Sequence, residues 1–337
     1  MKALKIIGII LLILVVLIIV LGLIAPKKYE VERSVLINAP KELVFSHVVK
    51  FHNWNGWSPW AEKDSTMTYT VEGKDGEEGS VYKWVGDPKI TGSGEITNTG
   101  VTPNEEMAYH LHFIIPFESE SDGYNRVADA EGGTKASWCM YGKNAFPMNI
   151  MFLFMSMDAM MGPDFERGLE LLKGICEKEA AVVASYKIKE VNLPTKRYAA
   201  IQQEIAFTGM KDFFMQSFPA LSQALKENKA RMMSAPSALY FSWDAGLGTT
   251  DMAAAIAANR SVSGENIKMI KVEGGTAYSV DYYGPYEGVG PAHMAIDLFL
   301  KKNNLEFKPP VIEEYITDPG LVPDSSKWLT KIYYFVK

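Results

Sequence analysis

Hydrophobic and polar positions follow three regimes along the chain. From Ile6 to Ala25 they form an unbroken apolar run of 20 residues, long enough as a helix to cross a hydrocarbon core of ~30 Å. From Tyr29 the pattern alternates, with Tyr29, Val31, Val35 and Ile37 on one side and Glu30, Glu32, Ser34 and Asn38 mostly on the other, which predicts a half-buried strand. Asn38-Ala39-Pro40 then starts a short helix carrying Leu43, Val44, Val48 and Val49. Strands are predicted near 67–72, 80–85, 92–99, 106–113, 125–130 and 135–141, between glycine-rich breaks such as 73–79. A helix over about 163–180 places Phe165, Leu169, Leu172 and Cys176 in one stripe that faces a sheet. A sheet wrapped around a long helix leaves a cavity between them.

The second half repeats itself. Aligning Asp244-Ala245-Gly246 with Asp318-Pro319-Gly320 sets Gly209 35 residues before the first aspartate and Gly284 34 before the second. Each glycine follows a strand (198–207, 276–283) and opens an amphipathic helix (211–228, 286–303), and two strands follow each helix (238–243 with 250–257, 311–317 with 329–336). The expectation is a duplicated strand-helix-strand-strand unit, packed about a pseudo-twofold with a cleft at the junction. The fold class is α+β throughout, behind one N-terminal transmembrane helix.

Composition changes this picture in two places. With 34 Lys+Arg against 40 Asp+Glu, a net charge of −6, no basic excess serves a phosphate backbone, and nucleic acid is not an expected partner. The apolar run exceeds the ~7–15 residues of a secretory core and ends at Leu23-Ile24-Ala25-Pro26 without a small-x-small cleavage site, so residues 1–28 read as an uncleaved signal anchor. Lys2 and Lys5 before the run balance Lys27 and Lys28 after it. The expected orientation, that usual for N-terminal anchors, has a cytoplasmic N-terminus and the soluble domains outside the cytoplasm. Cys139 and Cys176 form neither a disulfide framework nor a metal spacing, and read as buried free thiols.

Two resemblances follow from particular residues. Residues 29–180, with 31–40 (Val-Glu-Arg-Ser-Val-Leu-Ile-Asn-Ala-Pro), Trp57-Ser58-Pro59-Trp60, Gly92-Ser93-Gly94 and 162–169 (Gly-Pro-Asp-Phe-Glu-Arg-Gly-Leu), resemble the START-like polyketide cyclase family, also called SRPBCC. That implies a helix-grip sheet around a cavity for apolar ligands, with cyclase or hydrolase activity in some members only. Residues 186–337, with Tyr283-Gly284-Pro285-Tyr286-Glu287, 313–319 (Glu-Glu-Tyr-Ile-Thr-Asp-Pro) and Thr330-Lys331-Ile332-Tyr333, resemble the gyrase-inhibitor-like effector-binding domain of AraC-type and multidrug-sensing regulators. Such domains often follow a helix-turn-helix. Here an anchor and the START-like domain precede it, so transcriptional regulation is not carried over.

The candidate chemistry lies on strand 311–317, where alternation puts Glu313, Tyr315 and Thr317 on one face and Ile312, Glu314 and Ile316 on the other. The repeat alignment sets Leu239 against Glu313 and Phe241 against Tyr315. If that face lines the cleft, Glu313 is a lone carboxylate among aromatic rings, which either takes up a proton or recruits a cation; the alternative is a solvated Glu313 beside an ordinary core tyrosine. The resemblance implies that the glutamate at this position contacts cationic lipophilic ligands or acts in hydrolysis. Tyr282, Phe241, Trp243 and Trp328 are the further wall candidates. In the first half, Trp54, Trp57 and Trp60 either gate a cavity or cap a core. His110 and His112 alternate on one strand without a recognisable third ligand, so no metal is assigned. The methionine-rich run 148–157 is adaptable apolar surface, core or a membrane-facing loop. Gly-x-Ser-x-Gly, phosphate-loop, CxxC and HExxH motifs are absent, and no cofactor is assigned.

The function expected is membrane-anchored binding or sensing of small lipophilic or amphipathic molecules, cationic ones among them, by two tandem cavity domains. One alternative is a hydrolase or cyclase with Glu313 as general acid or base and Tyr315 as hydrogen-bond donor. Another is an interaction scaffold at the membrane.

Overall fold

The computed structural model describes residues 2–244 and 247–337. Met1 of the anchor segment, and Ala245 and Gly246 of the repeat alignment, lie outside the described residues. The chain forms two compact units, Met1–Ala180 and Ala181–Lys337.

The first unit begins with α1 (Lys2–Ile24), whose stretch Lys5–Ile24 is long and apolar enough to cross a membrane, with a mean hydropathy of 3.7. Then come β1 (Lys28–Ile37), α2 (Lys41–Val49), the short α3 (Phe51–Trp54) and α4 (Pro59–Lys63), and six strands, β2 (Thr68–Glu72), β3 (Val81–Val85), β4 (Ser93–Thr102), β5 (Glu106–Ile115), β6 (Ser119–Ala130) and β7 (Gly133–Lys143). A 3-10 segment, Met148–Leu153, leads into α5 (Met157–Ser185). The strands form one antiparallel sheet in the order β1-β7-β6-β5-β4-β3-β2, so the first strand closes against the last.

The predicted stripe on α5 is the one that packs, with Phe165, Leu169, Leu172 and Cys176 all at most 3% exposed. Where that stripe meets the sheet, aromatic rings pack against one another. Trp138 stacks on Phe165 at 4.4 Å, and Trp57 and Trp60 meet Trp138 edge-on at 5.0 and 5.5 Å. Gly168 permits this approach, since a Cβ there would lie 2.7 Å from the Trp138 ring. Trp54 and Trp57 are buried in this core, which is the capping reading of the tryptophan cluster.

The second unit comprises β8 (Lys189–Leu193), β9 (Lys196–Ala206), α6 (Met210–Glu227), β10 (Ser237–Tyr240), β11 (Thr249–Ala257), β12 (Lys268–Val272), β13 (Gly275–Tyr283), α7 (Gly290–Lys302), β14 (Phe307–Tyr315) and β15 (Leu329–Val336). The duplicated strand-helix-strand-strand unit is present as β9-α6-β10-β11 and β13-α7-β14-β15. Each copy also owns a lead strand that the alternation did not reveal, and the lead strands are exchanged: β8 pairs with β13 and β12 with β9. The antiparallel sheet of eight strands runs β12-β9-β11-β10-β14-β15-β13-β8, with β10 and β14 joining the copies at its centre. Both helices pack on one face, where Phe213, Leu221, Ala292 and Ile296 meet Met252, Ala254, Val280 and Ile332. The other face carries Tyr198, Leu239, Ala253, Ile312 and Phe335.

Candidate functional site

Strand β14 presents Glu313 and Tyr315 to the helix-bearing face of the sheet and Ile312 and Glu314 to the other, as the alternation predicts. Glu313 is 6% exposed, and both of its oxygens are engaged. The Tyr315 hydroxyl donates to Oε2 at 2.8 Å, and Oε1 lies 2.7 Å from His293 Nε2, contributed by α7. The other ring nitrogen of His293, Nδ1, lies 3.0 Å from the Tyr334 hydroxyl on β15. A carboxylate, an imidazole and two phenols thus form a continuous polar chain at the edge of an apolar core. Such a network costs little only while every member keeps its partner.

Burial, and after it the Glu313 charge, hold the Tyr315 and Tyr240 phenols well above their ordinary pKa. Both therefore stay protonated as donors at neutral pH. Over Tyr315 lies an aromatic shell. Phe214 and Phe218 of α6 meet its ring edge-on at 5.9 and 6.2 Å, and Tyr286 does so at 5.1 Å with Trp328 behind it at 5.2 Å.

Of the six residues expected at the site, Glu313 and Tyr315 form its centre and Trp328 joins through Tyr286. Tyr282 is in the same core, and its hydroxyl donates to the Pro285 carbonyl at 2.7 Å, which fastens the turn that carries Tyr286. Gly284 is required in that turn: its φ is 153°, and a Cβ would meet the Tyr282 hydroxyl at 2.4 Å. Trp243 is 57% exposed, stacked on Phe207 at 4.1 Å, and reaches the site only through Tyr240.

Phe241 is a correction, as is its partner in the alignment, Leu239. Both pack on the sheet face opposite Glu313. The two copies differ by one residue between helix and aspartate turn, so alignment on the aspartates slips the strands by one position and inverts their faces. Alignment on Gly209 and Gly284 instead matches Tyr240 with Tyr315 and Ala238 with Glu313, which share a face. Ala238 is the ladder partner of Glu313, and its methyl leaves room for the carboxylate.

His293, Tyr334, Tyr240 and Tyr286 were missed. His293 sits on an amphipathic helix with no motif around it, although it projects from the same helix face as Ala292 and Ile296, a polar residue within an apolar stripe. Glu314, 9% exposed on the opposite face, has longer contacts, to the Tyr333 hydroxyl at 3.4 Å and to Lys196 Nζ at 3.6 Å, beside a small cavity lined by Leu193, Tyr198 and Phe335. In the first unit His110 and His112 each face a carboxylate, Asp122 at 2.9 Å and Glu118 at 3.3 Å. The group there with metal-ligand spacing among the described residues is instead Glu30, Glu32 and Cys139.

Comparison with known proteins covers both units. The family model described as polyketide cyclase / dehydrase and lipid transport matches residues 28–177. The GyrI-like small molecule binding domain model matches residues 186–337. No curated protein matches the chain. Among solved structures, the EcmrR C-terminal domain is 18% identical with a TM-score of 0.41, over 45% of this chain and 98% of that one. A hydrolase from Listeria innocua is 11% identical with a TM-score of 0.33, over 45% and 92%. Ara h 8.0201 is 13% identical with a TM-score of 0.33, over 45% and 99%. Behind its apolar N-terminal helix the chain therefore carries a domain of the polyketide cyclase and lipid transport type, followed by a GyrI-like small-molecule-binding domain.

Proposed function

We propose that the protein is a membrane-anchored binder of small lipophilic cations, that its soluble domains lie outside the cytoplasm, and that the ligand site is the aromatic enclosure around Glu313. The observation that carries this reading is the buried carboxylate of Glu313, hydrogen-bonded to Tyr315, whose ring is met by those of Phe214, Phe218 and Tyr286. In a low-dielectric enclosure one negative charge selects for a positive partner, and ring faces add cation–π attraction to a flat or bulky cation. The hydrogen bonds from Tyr315 and from His293 hold the carboxylate and can be exchanged for a ligand's charge.

The test is a titration of tetraphenylphosphonium against the wild type, Glu313→Gln and Glu314→Gln. Loss of the opposing charge should cost roughly 2–5 kcal/mol of binding at Glu313. Glu314, on the other face, should leave affinity near the wild-type value. Equal affinities in all three proteins, or a larger loss at Glu314, would reject the site.

The His293 contact supports a second reading, in which a carboxylate paired with an imidazole exchanges a proton with a substrate and the domain is a hydrolase. Turnover of p-nitrophenyl acetate that vanishes in Glu313→Gln selects that reading. Saturable binding without turnover selects the first.

A further inference from the structure

Outside α1, most of the large apolar side chains left exposed on the first unit are gathered at one end of its sheet, Leu36 at the other end being an exception. The end of β5 and the turn after it carry Ile114, Ile115 and Phe117, the last 80% exposed. The segment after β7 carries Phe146, Met148, Met151 and Phe154, the last 82% exposed. The β3–β4 connection at the same end adds Val85 and Ile90. Turns at the opposite end are polar, with Glu77-Glu78, Asn104-Glu105 and Glu131-Gly132 at their tips. A patch of this kind marks an interaction surface, because folded proteins rarely leave contiguous apolar area in water.

What covers it is indicated by α1, which leaves the unit at this same end. Only Ala25, Pro26 and Lys27 separate α1 from β1, a reach of at most ~10 Å. The helix is also fastened to the loop itself. The Asn149 side chain, 2% exposed, donates to the Gly22 carbonyl at 2.7 Å, and the Asn144 amide nitrogen donates to the Lys27 carbonyl at 3.0 Å. The Phe146 ring lies so close over Gly22 that a Cβ there would be 2.5 Å from it. Gly22 falls inside the membrane-length stretch Lys5–Ile24, about 3 Å from its end along the helix axis. Side chains that touch Gly22 therefore stand at the depth of the last apolar turn. Lys27, Lys28, Lys89 and Lys143 surround this end without a carboxylate partner among the described residues, and Lys28 and Lys143 are ladder partners. Like charges placed opposite one another are unfavourable in water and are relieved by lipid phosphates.

We propose that residues 114–117 and 146–155 seat in the bilayer that α1 spans, so that the first unit is pressed against the membrane surface by this end of its sheet. The proposal rests on the anchor reading of α1. It is tested on the full chain in phosphatidylcholine–phosphatidylglycerol vesicles, with an environment-sensitive fluorophore on one cysteine introduced by Phe117→Cys, Phe154→Cys, Val15→Cys or Glu131→Cys. Cys139 and Cys176 are wholly buried, and the unsubstituted chain gives their background. Labels at 117, 154 and 15 should lose most of their emission to lipids brominated in the acyl chain and be shielded from aqueous iodide; the label at 131 should show the reverse. Lipid quenching at 15 with iodide quenching at 117 and 154 would overturn the proposal and leave the anchor standing, as would shielding of 117 and 154 without lipid quenching, which would mean a protein partner covers them. Iodide quenching at 15 would remove the anchor, and this proposal with it.

Discussion

Asp64 is buried at 3% exposure and accepts from the Thr66 hydroxyl at 2.6 Å, the Thr91 hydroxyl at 2.5 Å and the Asp87 amide at 2.8 Å. These donors, Thr66 foremost and then Thr91 and the Asp87 backbone, hold its carboxyl far below the ordinary value of 3.8. A depressed carboxylate contributes stability in full above its unfolded pKa and loses it as pH falls through the folded one. Asp64→Asn should therefore be less stable than the wild type at pH 7, because the new amide turns a donor toward donors. The gap should close as the pH is lowered below about 4, near the unfolded carboxylate value; urea unfolding at several pH values measures it, and a gap constant with pH would show that charge plays no part. The thiols behave in the opposite sense. Burial pushes Cys139 up to about 11 and Cys176 up to about 12, which keeps both protonated and unreactive at neutral pH.

At the scale of elements, legibility followed periodicity. The alternation of β1 and the α5 stripe survive intact in the structure because each has one apolar face against one core. The first half of β6 escaped because its inward positions are Ser121, hydrogen-bonded to the Tyr29 hydroxyl, and Gly123, where the Tyr109 ring and the Cys139 carbonyl leave no room for a side chain. The lead strands β8 and β12 escaped because they are five residues each, lie at sheet edges and begin with lysine, a usual protection of edges. Within the site, Glu313 and Tyr315 were legible from one strand's alternation, whereas His293 and Tyr334 come from elements that only tertiary structure brings near. The exchange of lead strands has a measurable effect. Deleting residues 187–193 removes the partner of β13, which belongs to the other copy, so hydrogen-exchange protection should fall in β13 and change little in β9. Loss confined to β9 would mean that the strands are not exchanged in solution.

On the scale of the whole molecule, each unit has its own sheet and its own core. We expect residues 28–180 and 186–337 to fold separately, each with a single cooperative transition in urea. If either fragment lacks a transition that the joined chain shows, the units depend on one another. Circular dichroism and tryptophan emission, followed together, decide the matter, since the fragments contain different tryptophans.

The axis relating the two copies of the second unit passes between Ala238 and Glu313, which are equivalent by the corrected alignment and directly opposite in the β10–β14 ladder. Two identical chains assembled the same way would place either two glutamates or two alanines against each other. Two buried carboxylates at ladder distance repel, and one of them takes up a proton; two alanines leave no charge at all. Joining the copies in one polypeptide removes that constraint, because each half mutates on its own. A single carboxyl group on a symmetry axis is open to a duplicated chain and closed to a homodimer, and here the two copies depart from symmetry at the axis itself.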